Sequence, residues 1–286
     1  MQKYNNILDT LESYRQDLTK ALKENKLYFD TDEINLSVGN NKINYHRWLH
    51  PNQGDWELEW LFNDYKLSCI KKLIRDDSVV IDIGAHTGNY SVAYSLFANK
   101  VISFEPNPVT FNILEKNSKL NPNIIPYNIG CSITDKQASF NYSDPGFNNG
   151  GMDMGLMSGS HQHKIDVYCV NIDNFLKQFH LDDYNNIGFI KIDCEGHDKE
   201  ILPTLKGIIQ KNKPIIETEI FDGFTLEQKQ ELVDVIHSLG YDCYNFTSAN
   251  DDIDLLGEKI TIDSIKEMQT RNEGGHNLIC FPKKGN

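Results

Sequence analysis

The sequence predicts an α/β protein: a doubly wound sheet, parallel in its body, behind a mixed N-terminal extension. Three observations carry this reading. From Ser78 onward, near-continuous apolar strands alternate with helices, the pattern of a parallel sheet covered on both faces. A glycine turn, IDIGAHTG, follows the first of these strands, and an acid, Glu105, closes the second. The last two strand candidates, YDCYNF (241–246) and HNLICFP (276–282), have no obvious crossover helix between them, so they are expected as an antiparallel pair at a sheet edge.

The extension comes first in the chain. Ile7, Leu8, Leu11, Tyr14, Leu18 and Leu22 recur mostly at spacings of three and four, which predicts a helix over residues 4–24. LYFDTDEINLSVGNNKINY alternates weakly around GNN and predicts a hairpin. WELEWLFNDYKLSCIKKLIRDD (56–77) reads as a second amphipathic helix. Residues 1–76 are therefore assigned to a helical and hairpin extension, and residues 77–286 to the sheet domain. The aromatics Trp48, Trp56, Trp60 and Phe62 suit a sugar-lining wall or simple helix packing.

In the second domain the strand VVIDI (79–83) precedes a helix at 88–98, and VISFE (101–105) precedes a helix at 108–119. NIIPYNI (123–129) is a third strand; GFIKID (188–193) leads to a helix at 198–210, and PIIETEI (214–220) to a helix at 226–238. Residues 138–172 break this rhythm, with strand-like ASFNYS and KIDVYCVNI flanking a tract rich in Gly, Asn and Met. That tract, residues 144–164, is expected to be either a hairpin tip or a lid over a substrate.

Bulk properties narrow the function. A chain of 286 residues, 39% hydrophobic, can bury one large core. Its 41 acidic against 28 basic residues leave a net charge of −13, unsuited to gripping a phosphate backbone, so no nucleic-acid partner is expected. The six cysteines form no CxxC pair and read as reduced thiols of a cytoplasmic protein rather than a zinc site or a disulfide framework. No stretch resembles a signal peptide, and no apolar run approaches the roughly 20 residues that span a bilayer. His161 and His163, or Asp193 with Glu195 and His197, could be sketched as metal ligands, but no metal is expected.

A glycine turn between an acid-ended strand and a helix suits either a dinucleotide or S-adenosylmethionine. The dinucleotide fingerprint GxGxxG would place its later glycines at positions held by His86 and Asn89, and a histidine there obstructs the pyrophosphate. The pattern present is DxGxxxG: Asp82, Gly84, Gly88. Gly84 permits a sharp turn whose bare backbone can lie against an amino acid moiety, and the amides near Gly88 favour its carboxylate. Asp82 can face its ammonium, directly or through water. Glu105 can accept the ribose hydroxyls, with Pro106 and Asn107 bordering the adenine. S-adenosylmethionine is thus the expected cofactor, held by Asp82, Gly84, Ala85, His86, Thr87, Gly88, Glu105, Pro106, Asn107 and Asp193.

The second informative stretch is GFIKIDCEGHDKEIL (188–202). Lys191, Asp193 and Glu195 alternate at the end of a strand expected to be central, where charges are costly unless paired or functional. Asp193 should neighbour Asp82, and strand C-terminal ends are where open α/β sheets hold ligands. Glu217 and Glu219 near the end of the next strand suit a substrate role and a structural role equally.

The blocks IDIGAHTG, FEPNP, NIDNFL, FIKIDCEGHDKEIL and PIIETEI, in this order, resemble the FkbM-type methyltransferases over roughly residues 78–282, KIDCEG being the most specific part. The resemblance implies the class I methyltransferase (Rossmann-like) fold, with a seven-stranded sheet whose last strand is antiparallel. It also implies O-methylation of a hydroxyl on a sugar, glycan or natural-product acceptor. The chain departs from the family in carrying His86 where Asn is frequent and Cys194 where Val is common. The first 76 residues and the Gly/Met tract are not covered, and those parts should select the acceptor. On this reading Asp193 is the first choice of base, Glu195 the second, and Lys191 orients a carboxylate. Two other functions stay open at this point: a catalytically inactive binding module of the same fold, and an NAD-dependent oxidoreductase. Homo-oligomer formation is also open.

Overall fold

The computed structural model describes residues 2–51, 53–54, 56–142, 150–152, 163–221, 223–246, 252–261, 264–265 and 276–283. The extension consists of helix α1 (Gln2–Glu24), strands β1 (Thr31–Val38) and β2 (Asn41–Trp48), and helices α2 (Trp56–Leu61) and α3 (Asp64–Leu73). β1 and β2 pair antiparallel around Gly39, whose φ of 54° lies in the left-handed region. The single helix expected over 56–77 is two helices. Asn63 breaks it by serving both ends: its Nδ2 donates to the Trp60 carbonyl (2.7 Å), and its Oδ1 accepts the Lys66 N–H (2.9 Å).

The sheet domain continues with β3 (Val79–Ile83), α4 (Asn89–Ser95), β4 (Lys100–Phe104), α5 (Pro108–Leu120), β5 (Ile124–Tyr127), β6 (Gly130–Cys131), β7 (Lys136–Tyr142), β8 (Gly150–Met152) and β9 (His163–Val170). Then follow α6 (Ile172–Phe179), β10 (Ile187–Ile192), α7 (Asp198–Ile201), α8 (Lys206–Asn212), β11 (Ile215–Ile220), α9 (Leu226–Ser238), β12 (Tyr241–Phe246) and β13 (His276–Pro282). Two differences from the sequence reading stand out. The strand expected to run to Ile172 stops at Val170, because the Asn171 side chain accepts the Asn174 N–H and starts α6. The helix expected over 198–210 is interrupted by a 3₁₀ turn, Leu202–Leu205, that contains Pro203, a residue with no N–H to give.

The main sheet has seven strands in the order β12-β13-β11-β10-β3-β4-β5, and its last strand, β13, is antiparallel to both neighbours. β12 therefore forms the edge and β13 sits one place inside it. A second sheet, β6-β9-β7-β8, lies beside it, with β7 and β9 paired antiparallel as the hairpin reading required. Most of the Gly/Met tract, residues 143–149 and 153–162, lies outside the described residues.

Alternation along the strands sends side chains to two cores. Ile81, Ile83, Ile102, Phe104, Ile190 and Ile192 face α6, α8 and α9, while Val80, Val101 and Phe189 face α3 and α4. Every residue of β3 is buried, Asp82 included. Ile43, Tyr45, Leu61 and Phe62 of the extension belong to the second core, so the extension packs as part of the sheet domain. Among the described residues, no helix is long and apolar enough to cross a membrane.

Candidate active site

β3, β4, β10 and β11 are parallel, so their C-terminal ends open on one edge of the sheet. A cavity of about 400 Å³ lies there. Gly84, Ala85 and His86 after β3, Glu105, Pro106 and Asn107 after β4, and Lys191, Asp193, Cys194 and Glu195 after β10 all line it. The two constellations read from the sequence thus share one cavity.

The β3 turn holds three left-handed residues, Gly84 (φ 80°), His86 (φ 52°) and Gly88 (φ 85°). Protein contacts alone already require the glycines. A Cβ on Gly84 would lie 1.9 Å from the Asp193 carbonyl oxygen, and one on Gly88 would lie 2.6 Å from Leu114 Cδ1. The Gly84 and Ala85 amides both donate to the Phe104 carbonyl (2.9 and 3.0 Å), and the His86 amide donates to Glu105 Oε2 (2.8 Å).

Three expected cofactor contacts do not reach the cavity wall. Gly88 and Thr87 are turned into the protein, and Thr87 is fully buried. Asp82 lies beneath the floor, fully buried, because β3 pairs it in register with Lys191 in the middle of the sheet. Its Oδ2 accepts the Ser91 hydroxyl (2.5 Å), while its Oδ1 has no hydrogen-bond partner among the described residues. Burial raises the Asp82 pKa, against the opposing effects of Lys191 and Ser91. As placed, Asp82 is not part of the cavity wall that an ammonium would meet.

Glu105 is the buried acid of the wall. Its Oε1 accepts the Asn107 amide (2.8 Å) and the Thr110 hydroxyl (3.1 Å), and its Oε2 accepts the His86 amide. A carboxylate has about four acceptor positions, so one remains on Oε2. Burial pushes its pKa up to about 7, although the Asn107 and His86 amides favour the ionised form. Asn107 also caps α5, accepting the Val109 N–H (3.0 Å).

On the other wall, Lys191 Nζ donates to Asp193 Oδ2 (2.9 Å). Lys191 is 3% exposed, whereas the Asp193 side chain is 41% exposed. Burial acts to lower the Lys191 pKa, but Asp193, Asp82 and Glu217 outweigh it and keep the ammonium charged. The chain then turns sharply through Glu195 (φ 51°) and Gly196 (φ 97°). His86 and Glu195, two non-glycine residues in the left-handed region, both line the cavity.

Asp198 holds this second turn, a role the sequence reading did not assign. Fully buried, it accepts the Cys194 amide (3.2 Å), the Thr218 hydroxyl (2.8 Å) and the Glu219 amide (3.1 Å), tying the β10 turn to β11. Burial, then the charge of Asp193, pushes its pKa up to about 7. Glu217 and Glu219 do not line the cavity. Glu217 Oε1 accepts from the Asn277 side-chain Nδ2 (2.9 Å), and burial followed by repulsion from Asp193, Glu195 and Asp198 pushes Glu219 up to about 10.

The remaining wall was not assigned from sequence, apart from Trp60 as one of four aromatic candidates. Gln53, Trp60 and Leu61 of the extension, Tyr90 of α4, and Phe140, Gly150 and Gly151 of the second sheet complete it. Trp48 and Phe62 are buried instead, and the Trp56 side chain lies outside the described residues. Among the described residues, no three ligand side chains converge to hold a metal ion.

The donor set suits S-adenosylmethionine. The charged lining is Glu105, Asp193 and Glu195 against Lys191 alone, and Lys191 is already paired; this acidic surplus complements a cofactor carrying a sulfonium and an ammonium. Glu105, which keeps one acceptor position, is part of the cavity wall.

A family model described as "Methyltransferase FkbM domain" matches residues 82–243. The hexuronic acid methyltransferase AglP of Haloferax volcanii is 30% identical over 144 residues, which cover 50% of this chain and 56% of that protein. The chain therefore spans little more than half the length of the curated relative it matches. Among solved structures, methyltransferase FkbM from Methylobacillus flagellatus aligns at 13% identity and a TM-score of 0.43, over 72% of this chain and 44% of that one. An rRNA methylase from Streptococcus thermophilus aligns at 10% identity and a TM-score of 0.44, over 77% of this chain and 95% of that one.

Proposed function

The chain belongs to the FkbM methyltransferase family, and from that premise we propose that it methylates a hydroxyl group on a sugar, glycan or natural-product acceptor, with S-adenosylmethionine as donor. The observation that carries this reading is Asp193, a half-exposed carboxylate held in the cavity by a buried ammonium.

The Gly84–His86 backbone, Glu105, Pro106, Asn107 and the neighbouring Cys131 would hold the cofactor. The cofactor supplies a methyl group already activated by its bond to a cationic sulfur. What remains for the protein is alignment, exclusion of water and removal of one proton. Asp193 takes the hydroxyl proton. Lys191 fixes the carboxylate by its 2.9 Å hydrogen bond and, being buried, is itself held in place. Glu195, on the strained turn two residues later, is the second candidate for the proton. Trp60, Tyr90 and Phe140 give the acceptor an aromatic surface, and Gln53 adds a polar group, a combination suited to a sugar ring with its apolar C–H face and its hydroxyls.

The test is release of S-adenosylhomocysteine in the presence of a panel of hydroxyl acceptors, with S-adenosylhomocysteine affinity measured in parallel by calorimetry. Asp193→Asn should lower turnover on an accepted substrate by about 10²–10⁴-fold and change the affinity less than about threefold. A large loss of affinity with turnover preserved would move Asp193 to the cofactor and the proton to Glu195.

A further inference from the structure

The β3 turn is held from two sides. On the inner side β4 and Glu105 take the Gly84, Ala85 and His86 amides. On the outer side it is held by the β1–β2 hairpin, which precedes the matched residues 82–243. Asn117 of α5, fully buried, bridges the two. Its Oδ1 accepts the His46 amide of β2 (2.6 Å), and its Nδ2 donates to the Thr87 carbonyl of the turn (2.8 Å). A backbone N–H can only donate and a carbonyl can only accept, so these partners fix the orientation of the Asn117 amide. Beside this bridge, the Tyr45 hydroxyl lies 3.3 Å from Thr87 Oγ1, and both residues are buried. The Trp48 ring, at the end of β2, meets the His86 ring edge-on at 6.3 Å.

The turn needs outside support. Left-handed backbone at His86 is unfavourable for a residue with a side chain and persists where the surroundings over-determine it. Thr87, the next residue, is where the hairpin's contacts arrive. We infer that the β1–β2 hairpin is a positioning element of the cofactor turn, acting through Asn117 and Tyr45. The N-terminal extension is then part of the cofactor site, in addition to the cavity wall it supplies at Gln53, Trp60 and Leu61. This inference rests on the reading that the β3 turn receives S-adenosylmethionine.

Three variants decide it. Tyr45→Phe removes one hydroxyl; Asn117→Asp keeps the acceptor for His46 but loses the donor to Thr87. Asp32→Asn weakens the same hairpin at its Arg47 pair, away from the turn. The measurements are S-adenosylhomocysteine affinity by calorimetry and hydrogen–deuterium exchange of the peptide carrying residues 84–88 in the ligand-free protein. The expected result is affinity weaker by roughly tenfold in Asn117→Asp and by about threefold in Tyr45→Phe, with none lost in Asp32→Asn. Exchange should rise in the 84–88 peptide and stay unchanged in β10 and β11. Wild-type affinity and exchange in folded Tyr45→Phe and Asn117→Asp would overturn the inference. So would equal effects from Asp32→Asn, which would mean that only general hairpin stability is at stake. If Asn117→Asp does not fold, Tyr45→Phe against Asp32→Asn decides. Failure of wild-type protein to bind S-adenosylhomocysteine would instead refute the cofactor assignment, and the exchange measurement would still decide whether the hairpin holds the turn.

Discussion

Replacing Lys191 with methionine removes the positive charge from the middle of the sheet and keeps most of the side-chain volume. Strand register sets Lys191 between Asp82 of β3 and Glu217 of β11, and both acids are buried. Lys66 still acts on Glu217 in the variant, but Lys191 is the leading charge that opposes burial at both acids. No ion-pair contact joins Lys191 to either acid, but leaving buried carboxylates without their compensating charge costs up to about 3–5 kcal/mol. At about 2.1 cal/mol/K of unfolding entropy per residue, 286 residues give about 0.6 kcal/mol/K. A loss near 4 kcal/mol therefore lowers Tm by about 7 °C. The pH dependence has a definite sign. Burial already raises the pKa of Asp82 and Glu217 in the folded state, and removing Lys191 raises both further. A carboxyl group with a raised folded-state pKa contributes stability below its unfolded pKa, and that contribution is lost as pH rises through the folded value. The deficit of Lys191→Met should thus be largest at high pH and shrink on acidification, as the two acids take up protons. Denaturant melts of wild type and variant at about pH 5, 6.5 and 8 measure this. The double variant Lys191→Met/Glu217→Gln should recover part of the loss at the highest pH. A deficit that is constant with pH, grows on acidification, or stays below about 1 kcal/mol at pH 8 would refute the charge argument.

Two further outcomes follow from the same site. Glu105, pushed up to about 7, must be ionised to accept a ribose hydroxyl fully, so S-adenosylhomocysteine affinity should weaken as pH falls below 7, by at most about tenfold per unit. Calorimetric titrations from about pH 6 to 8 check this, and Glu105→Gln should flatten the profile. Asp198→Ala strands the Cys194 and Glu219 amides and the Thr218 hydroxyl in a buried turn. It should cost about 3 kcal/mol in denaturant melts and reduce turnover through displacement of Asp193, whereas Asp198→Asn should lose less of both.

Local pattern determined much of this protein. Strand and helix alternation from Ser78, the glycine turn with Glu105 after it, and the charged end of GFIKID are signals written within ten to twenty residues, and they led to the sheet, to the shared cavity and to the residues on two of its walls. The helix break at Asn63 was also local, but it depends on which polar groups a single amide satisfies, and hydrophobic periodicity does not report that. Packing between distant segments decided the rest. Gly84 is required because the β10 turn passes against it, and Asp82 lies under the floor because strand register places it opposite Lys191. Asp198 locks a turn through partners that β11 brings to it, and Asn117 bridges a hairpin 71 residues earlier in the chain to a turn 30 residues earlier. These roles have no signature in the sequence near each residue, because a side chain's hydrogen-bond partners and its solvent exposure exist only once separate elements have packed.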